Sequence, residues 1–356
     1  LVTEAEIVQA ALAEHGPEGA EKFIQEVVWR GYFKGWLERR PGVWRSYLDG
    51  LQADRAALGK DRALARQVAN AEAGQTGLDC FDAWAQELTQ TGYMHNHARM
   101  WFASIWVFTF GLPWRLGADF FLRHLLDGDP ASNTLGWRWV AGLHTRGKIY
   151  EAQAWNIAKF TNGRFSPRDV DLAHGVAALD HTEPEGLPPV QPVRNFIAPA
   201  PLMPTALLIT EEDGCLEDFD PLALRVVGAA TLSASHLRSD LDVSPLVSGF
   251  EDGALADGAT RLGLGTEVTQ MRAGVPSDLA RWAKDLGAAQ IATGFVPQGP
   301  LRDWLDEAAP ALAEAGIALT EWQRDWDRAI WPHATAGFFK VKKQIPRIIE
   351  TMEPAL

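Results

Sequence analysis

Asp127, Asp129 and Asn133 gather two carboxylates and an amide in one short loop, and Trp137 and Trp139 follow almost at once. They close the stretch from Tyr93 to Trp139, YMHNHARMWFASIWVFTFGLPWRLGADFFLRHLLDGDPASNTLGWRW, which opens polar and continues as an apolar helix. Such a loop can hold a cation, cap a helix or hydrogen-bond a ligand, and tryptophan stacks on flat rings or passes electrons. Calcium does not fit, because the position that should carry a bidentate glutamate is Arg138. Spacing alone favours a capped helix start, with Asp129 ahead of Pro130. Elsewhere, Glu26 and Trp29 are three apart and share a helix face, and Asn96 and Met100 are four apart and share another. From Arg138 to Arg168 the basic residues Arg138, Arg146, Lys148, Lys159, Arg164 and Arg168 outnumber the single acid, Glu151.

The elements that must position these residues are helical. Thr3 with Glu6 forms a capping box for a first helix, and a second is predicted from near Pro17 to about Glu38. The latter has Phe23, Ile24, Val27, Val28 and Gly31 on one side, and Glu26, Trp29, Arg30 and Phe33 on the other. Residues 52–73 read as an exposed connection or solvated helix, and no strand-like alternation occurs before residue 190. Seven prolines from Pro184 to Pro204 mark an extended linker. Beyond it, strands are expected at 205–210, 224–232, 267–271, 289–296 and 317–322, with helices around 252–263, 277–287 and 301–316. That alternation predicts a parallel α/β sheet. Gly263 and Gly265 follow a helix and precede a strand, the wrong order for a phosphate-binding turn.

Composition sets the bounds. With 356 residues, 47% apolar and 22% charged, the chain is long enough for two or three globular domains. A net charge of -13 argues against nucleic-acid binding over the whole surface, but not against one local basic groove. Fifteen tryptophans accompany only four tyrosines. Cys80 and Cys215 lie far apart, form no metal spacing, and read as reduced thiols of a cytoplasmic protein. The start, LVTEAEIVQAALAEHG, has no secretory pattern. The uncharged apolar run of 15 residues between Arg99 and Arg115 falls short of the roughly 18 expected of a spanning helix, so no membrane association is expected.

MHN-x-x-RM followed by DGD-x-x-x-N-x-x-x-W-x-W closely resembles the FAD-binding domain of the photolyase/cryptochrome family. The resemblance implies a multidomain α and α/β chain: a helical FAD-binding domain over 1–183, the linker over 184–204, and an α/β, Rossmann-like domain over 205–356. LARWAKDLGAAQI, AGIAL and the ending AGFFKVKKQIPRII are similar to the family's antenna domain, in permuted order and with room for a second chromophore. Matched to the motif, Arg99 pairs with Asp127 as a buried ion pair, Asp129 accepts hydrogen bonds from the cofactor, and Asn133 faces the flavin N5. Trp137 and Trp114 match the family's flavin-proximal and second electron-transfer tryptophans. Trp36, Trp44, Trp101 and Trp106 are candidates for a further outlet.

In pyrimidine-dimer photolyases, E-x-x-W-R, N-x-x-x-M and the second Trp of W-x-W line the pocket for the flipped dimer. Glu26, Trp29, Asn96, Met100 and Trp139 occupy those positions, and aromatic walls with a few polar groups suit an extruded base pair. His95-Asn96 replaces the histidine pair of six-four photolyases. The implied activity is light-driven repair of cyclobutane dimers in UV-damaged DNA: an electron passes from excited reduced FAD to the dimer, the ring opens, and the electron returns. The alternative is a cryptochrome-like photoreceptor that signals through a protein partner. Departures from the family pattern are Gln86 and His97 in place of arginines that often contact DNA, and the segment LHTRGKIYEAQAWNIAKFTNGRF. The family's T-S-x-L-S phosphate-binding segment has no counterpart in the residues given. The expectation is a chain truncated there, or another element holding the pyrophosphate.

Overall fold

The computed structural model describes residues 2–264 and 267–351, so Gly265 lies outside the described residues. In chain order the helices are α1 (Glu4–Glu38), α2 (Pro41–Leu58), α3 (Arg62–Glu72), α4 (Asp79–Thr91), α5 (Asn96–Ser104), α6 (Trp114–His124), α7 (Pro130–Val140) and α8 (Ala154–Phe160). There follow β1 (Pro204–Thr210), β2 (Arg225–Ser233), α9 (Pro245–Arg261), β3 (Thr269–Arg272), α10 (Ser277–Asp285), β4 (Gln290–Gly294), α11 (Pro300–Glu314) and β5 (Ala318–Trp322). Three short helices close the chain: α12 (Asp325–Ile330), α13 (Phe339–Lys342) and α14 (Ile345–Glu350).

The chain divides into two compact units. The α/β unit comprises Leu1–Pro41, Val190–Leu237 and Ser248–Leu356, and the helical unit comprises Gly42–Pro189 and Arg238–Val247. Sequence-based boundaries at 183 and 205 differ from this division at both ends of the helical part. The reason is tertiary packing that chain order does not show. The second half of α1 packs on the end of the chain: a Cβ on Gly35 would lie 2.4 Å from Trp331, and one on Gly31 would lie 2.9 Å from Ile330. Only glycine allows so close an approach.

The five strands of the α/β unit run parallel in the order β3-β2-β1-β4-β5. Alternation along β1 sends Ala206 and Leu208 to one face, against Leu279, Leu305 and Ala308, and Leu207 and Ile209 to the other, against Leu216 and Leu255. Burial on both faces is what gives near-continuous apolar strands. Gln290 starts β4 and is buried, its amide donating to Thr205 Oγ1 at 2.7 Å and to the Ala200 carbonyl at 2.8 Å. That fastens the end of the proline-rich linker to the sheet.

Within α1 the capping box of Thr3 and Glu6 forms, and Gly16 (φ 66, ψ 172) breaks the helix just before Pro17. The expected second helix therefore begins where its proline suggests. Phe23 is half exposed, not part of a buried apolar side. In the helical unit, α3 is not the wholly solvated helix expected, since Val68 and Ala71 are buried and Glu72 pairs with Arg123 at 2.7 Å. The apolar run after α5 passes through a π-helical turn at Ile105–Thr109, whose Ile105, Trp106 and Val107 are buried. Among the described residues no helix is long and apolar enough to cross a membrane.

Candidate cofactor and substrate site

The loop between α6 and α7 is held from its own sequence. Asp129 is the N-cap of α7, accepting from the Ser132 backbone N–H at 3.1 Å and from the Ser132 hydroxyl, with Pro130 at the first helical position. The capped start read from spacing is thus present. Arg99, on α5, donates through both terminal nitrogens to Asp127 at 3.2 Å and through Nε to the Met94 carbonyl at 2.8 Å. The pair expected to be buried is not: the Asp127 side chain is 64% exposed. A solvated pair of this kind is worth about 0–1 kcal/mol, too little to clamp the fold. Arg238, from the segment after β2, donates to the Leu125 carbonyl at 3.2 Å and crowds Gly128. No sequence signal pointed to Arg238, which lies 113 residues from its partner.

Asn133, one turn into α7, is buried and donates to the Ala118 carbonyl of α6 at 2.8 Å. This ties the two helices together where Gly117 admits the Trp137 ring; a Cβ there would lie 2.3 Å from it. Trp137 is 2% exposed and meets Trp106 edge-on at 6.2 Å and Phe121 at 5.1 Å. Trp114 is equally buried, 5.8 Å from Tyr47, which is in turn 5.3 Å from Trp44. Of the four outlet candidates, Trp44 is therefore linked to Trp114 through a tyrosine, and Trp106 touches Trp137. Trp101 instead stacks on Trp84 at 5.5 Å, and Trp36 sits in the α/β unit beneath Arg40. Burial drives the Tyr47 phenol well above its ordinary range, so it stays neutral.

Beneath this cluster lies a buried network. Asp119 is 1% exposed and accepts from Ser239 at 2.7 Å, Arg55 at 2.9 Å and Arg123 at 3.0 Å. Burial lowers His124, the next residue after Arg123, to about 4, with the Arg123 charge as second cause, so its ring is neutral at physiological pH.

The proposed substrate residues are more open. On α5, Asn96 is exposed and Met100 half-buried, and Trp139, half-buried on α7, lies 5.5 Å from Tyr150. In the α/β unit Glu26 is exposed, and Trp29 stacks on Phe338 at 3.8 Å with ring planes 13° apart. Tyr32 and Phe33 flank the same ring at 5.4 and 5.3 Å. Glu26 and Trp29 lie on α1, and Asn96 and Met100 on α5. Phe338 was not foreseen, because nothing in AGFF marks which ring will meet Trp29.

The expected basic patch is thinner than its sequence. Arg138 is buried in a bidentate pair with Glu183 at 2.6 and 2.7 Å, Arg146 donates to the carbonyls of Glu183 and Asp180, and Arg168 pairs with Asp171. Gln86 donates to the Gly74 carbonyl at 3.0 Å.

Whether these residues suit a polar aromatic cofactor is answered by the buried atoms. Trp114 Nε1, Trp137 Nε1, Thr134 Oγ1 and the Tyr47 hydroxyl are buried with no hydrogen-bond partner among the described residues. Leaving such groups unpaired costs about 1–3 kcal/mol each, and a polar ring system is the kind of ligand that offers them partners.

The comparisons with known proteins agree with this class of site. The family profile of the FAD binding domain of DNA photolyase matches residues 23–165. The chain is 38% identical over 145 residues to a deoxyribodipyrimidine photo-lyase of Streptomyces griseus, covering 40% of this chain and 30% of that relative. It is also 38% identical over 138 residues to a chloroplastic/mitochondrial cryptochrome DASH of Ostreococcus tauri, covering 39% and 24%. A Thermus thermophilus photo-lyase is 37% identical over 128 residues, covering 36% and 30%. No solved structure matches. Residues 23–165 are thus similar to the FAD-binding domain of the photolyase/cryptochrome family. The chain spans less than a third of the length of these relatives.

Proposed function

We propose that this chain is a light-driven lyase that reverses cyclobutane pyrimidine dimers in DNA. The observation that carries the proposal is how the motif tryptophans divide by burial. Trp114 and Trp137, matched to electron transfer, are enclosed, while Trp29 and Trp139, matched to substrate walls, are half open and backed by other rings. In this reading Arg99, Asp127, Asp129 and Asn133 hold FAD, which when bound supplies the electron that opens the dimer and receives it back. In the helical unit Asn96 hydrogen-bonds a base edge, Trp139 and Met100 are apolar wall residues, and Trp137 and Trp114 carry electrons inward; in the α/β unit Glu26 and Trp29 are matched to the same two substrate roles, hydrogen bond and wall. The α/β unit is the antenna-like domain in permuted order, able to take a second chromophore, and the protein is cytoplasmic.

The internal pairing of Arg138, Arg146 and Arg168 favours a second reading, a cryptochrome-like photoreceptor acting on a signalling protein, because it leaves fewer cations for a damaged strand. The test is an absorption spectrum of the purified chain followed by binding to single-stranded DNA with and without a thymine dimer. Flavin bands, tighter binding of the dimer strand, and loss of that preference in Asn96→Ala support the lyase. Flavin bands with equal affinity for both strands support the photoreceptor, and absence of flavin bands removes both.

A further inference from the structure

A separate aromatic cleft of about 220 Å³ opens at the surface of the helical unit, between the start of α5, α4 and the end of α8. It is smaller than the roughly 300–1,000 Å³ of sites for drug-sized ligands, so it suits a single ring system and not a dinucleotide. Its floor is a pile of flat rings. His97 stacks on Trp101 at 5.5 Å with planes 19° apart, and Trp101 stacks on Trp84 at 5.5 Å. Phe160 forms one wall, 5.2 Å from His97 and still 51% exposed. Arg164 lines the cleft and lies 4.8 Å over Phe165, and Lys159, outside the lining, lies 5.3 Å over the ring of the lining residue Phe160. Neither cation is ion-paired among the described residues, in contrast to Arg138 and Arg168 in the same segment. Glu87 is the one acid among the described lining residues.

A soluble protein gains nothing in stability by leaving Phe160 half exposed, or Trp155, on the same short helix, 62% exposed. Flat rings open on one side, with fixed cations at the edge, match a base and its phosphate. Stacking tolerates any base, because every base has a π-face. We propose that this cleft is a stacking slot for an unpaired nucleobase of single-stranded nucleic acid, with Arg164 and Lys159 on the adjoining phosphates. It requires neither a lesion nor the flavin, and does not rest on the lyase reading.

Fluorescence anisotropy with a labelled, undamaged oligothymidine and the full chain, in the dark, tests this. Wild type should bind the single strand more tightly than a duplex of the same sequence. Removing one stacking contact, worth ~1–3 kcal/mol, corresponds at ~1.4 kcal/mol per decade to about a five- to hundredfold weaker Kd. Phe160→Ala should show that loss with the salt dependence unchanged, and Phe160→Trp should restore affinity. Arg164→Ala should instead lower the slope of log K against log salt by ~0.7, one phosphate contact on a single strand. Wild-type affinity in both Phe160→Ala and Arg164→Ala, or no binding by the wild-type chain, overturns the proposal. Undamaged-strand binding lost in Phe160→Ala, in a chain that repairs no dimers, sinks the lyase alone. Dimer repair with undamaged-strand affinity indifferent to both variants sinks the cleft alone.

Discussion

Asp119 and Asp127 are both aspartates of one stretch, both paired with arginine, and they differ in almost everything that decides energy. Asp119 is enclosed and accepts three hydrogen bonds, two of them from guanidinium groups that reach it from α2 and from its own helix. Asp127 is mostly in water and faces one guanidinium. The first is built for the fold; the second leaves its carboxylate open to something other than the protein. A residue's motif position says which partner it has, whereas burial says whether the partnership serves folding or binding.

The largest expected effect breaks the enclosed side of this comparison. Asp119→Ala removes the buried carboxylate shared by Arg55 and Arg123, leaving them Asp240 and Glu72, and should destabilise the helical unit by about 1.5–3 kcal/mol, the loss of buried charged hydrogen bonds, seen as a lowered melting transition by circular dichroism. A loss under 1 kcal/mol would mean that the network relaxes into water.

A pH effect of intermediate size belongs to the other unit. Glu38 is 5% exposed, and burial raises its carboxyl to about 7 although Arg194 and the Gln298 backbone N–H oppose the shift. Its folded pKa lies above its unfolded value. The stability it contributes is thus full below the ordinary carboxylate range and is lost as pH rises through about 7. The melting temperature of the α/β unit should fall between pH 5 and pH 8 in wild type, and fall less in Glu38→Gln. Parallel pH profiles for the two proteins would show that Glu38 ionises at no cost.

The open side should respond weakly in stability and strongly in binding. Asp129→Ala removes the cap of α7, a change of about 0.5–2 kcal/mol, measurable by thermal denaturation. Arg99→Ala should cost at most about 1 kcal/mol yet lower retained flavin, read as the ratio of flavin to protein absorbance. Equal destabilisation by Arg99→Ala and Asp119→Ala would erase the distinction drawn between them.

The sequence made some of this legible and hid the rest, for physical reasons. Strands and helices of the α/β unit follow from apolar runs bounded by glycine and proline, and their alternation along the chain agrees with a parallel sheet. The break at Gly16, the capping box and the cap at Asp129 are local, so local spacing shows them. Grouping of α1 with the α/β unit depends on Gly31 and Gly35 meeting Ile330 and Trp331 some 300 residues on, a contact that no periodicity encodes. The basic run suffered likewise: its arginines were visible, but their partners Glu183 and Asp180 lay beyond it.

The claim that these halves serve light-driven repair stands or falls on one measurement. The purified chain, reconstituted with FAD, reduced and illuminated with dimer-containing single-stranded DNA, should restore thymine absorbance. Glu26→Ala should slow that recovery by about ten- to a hundredfold, the loss of one charged hydrogen bond of ~1.5–3 kcal/mol. A chain that binds and photoreduces flavin but restores no thymine would contradict the account.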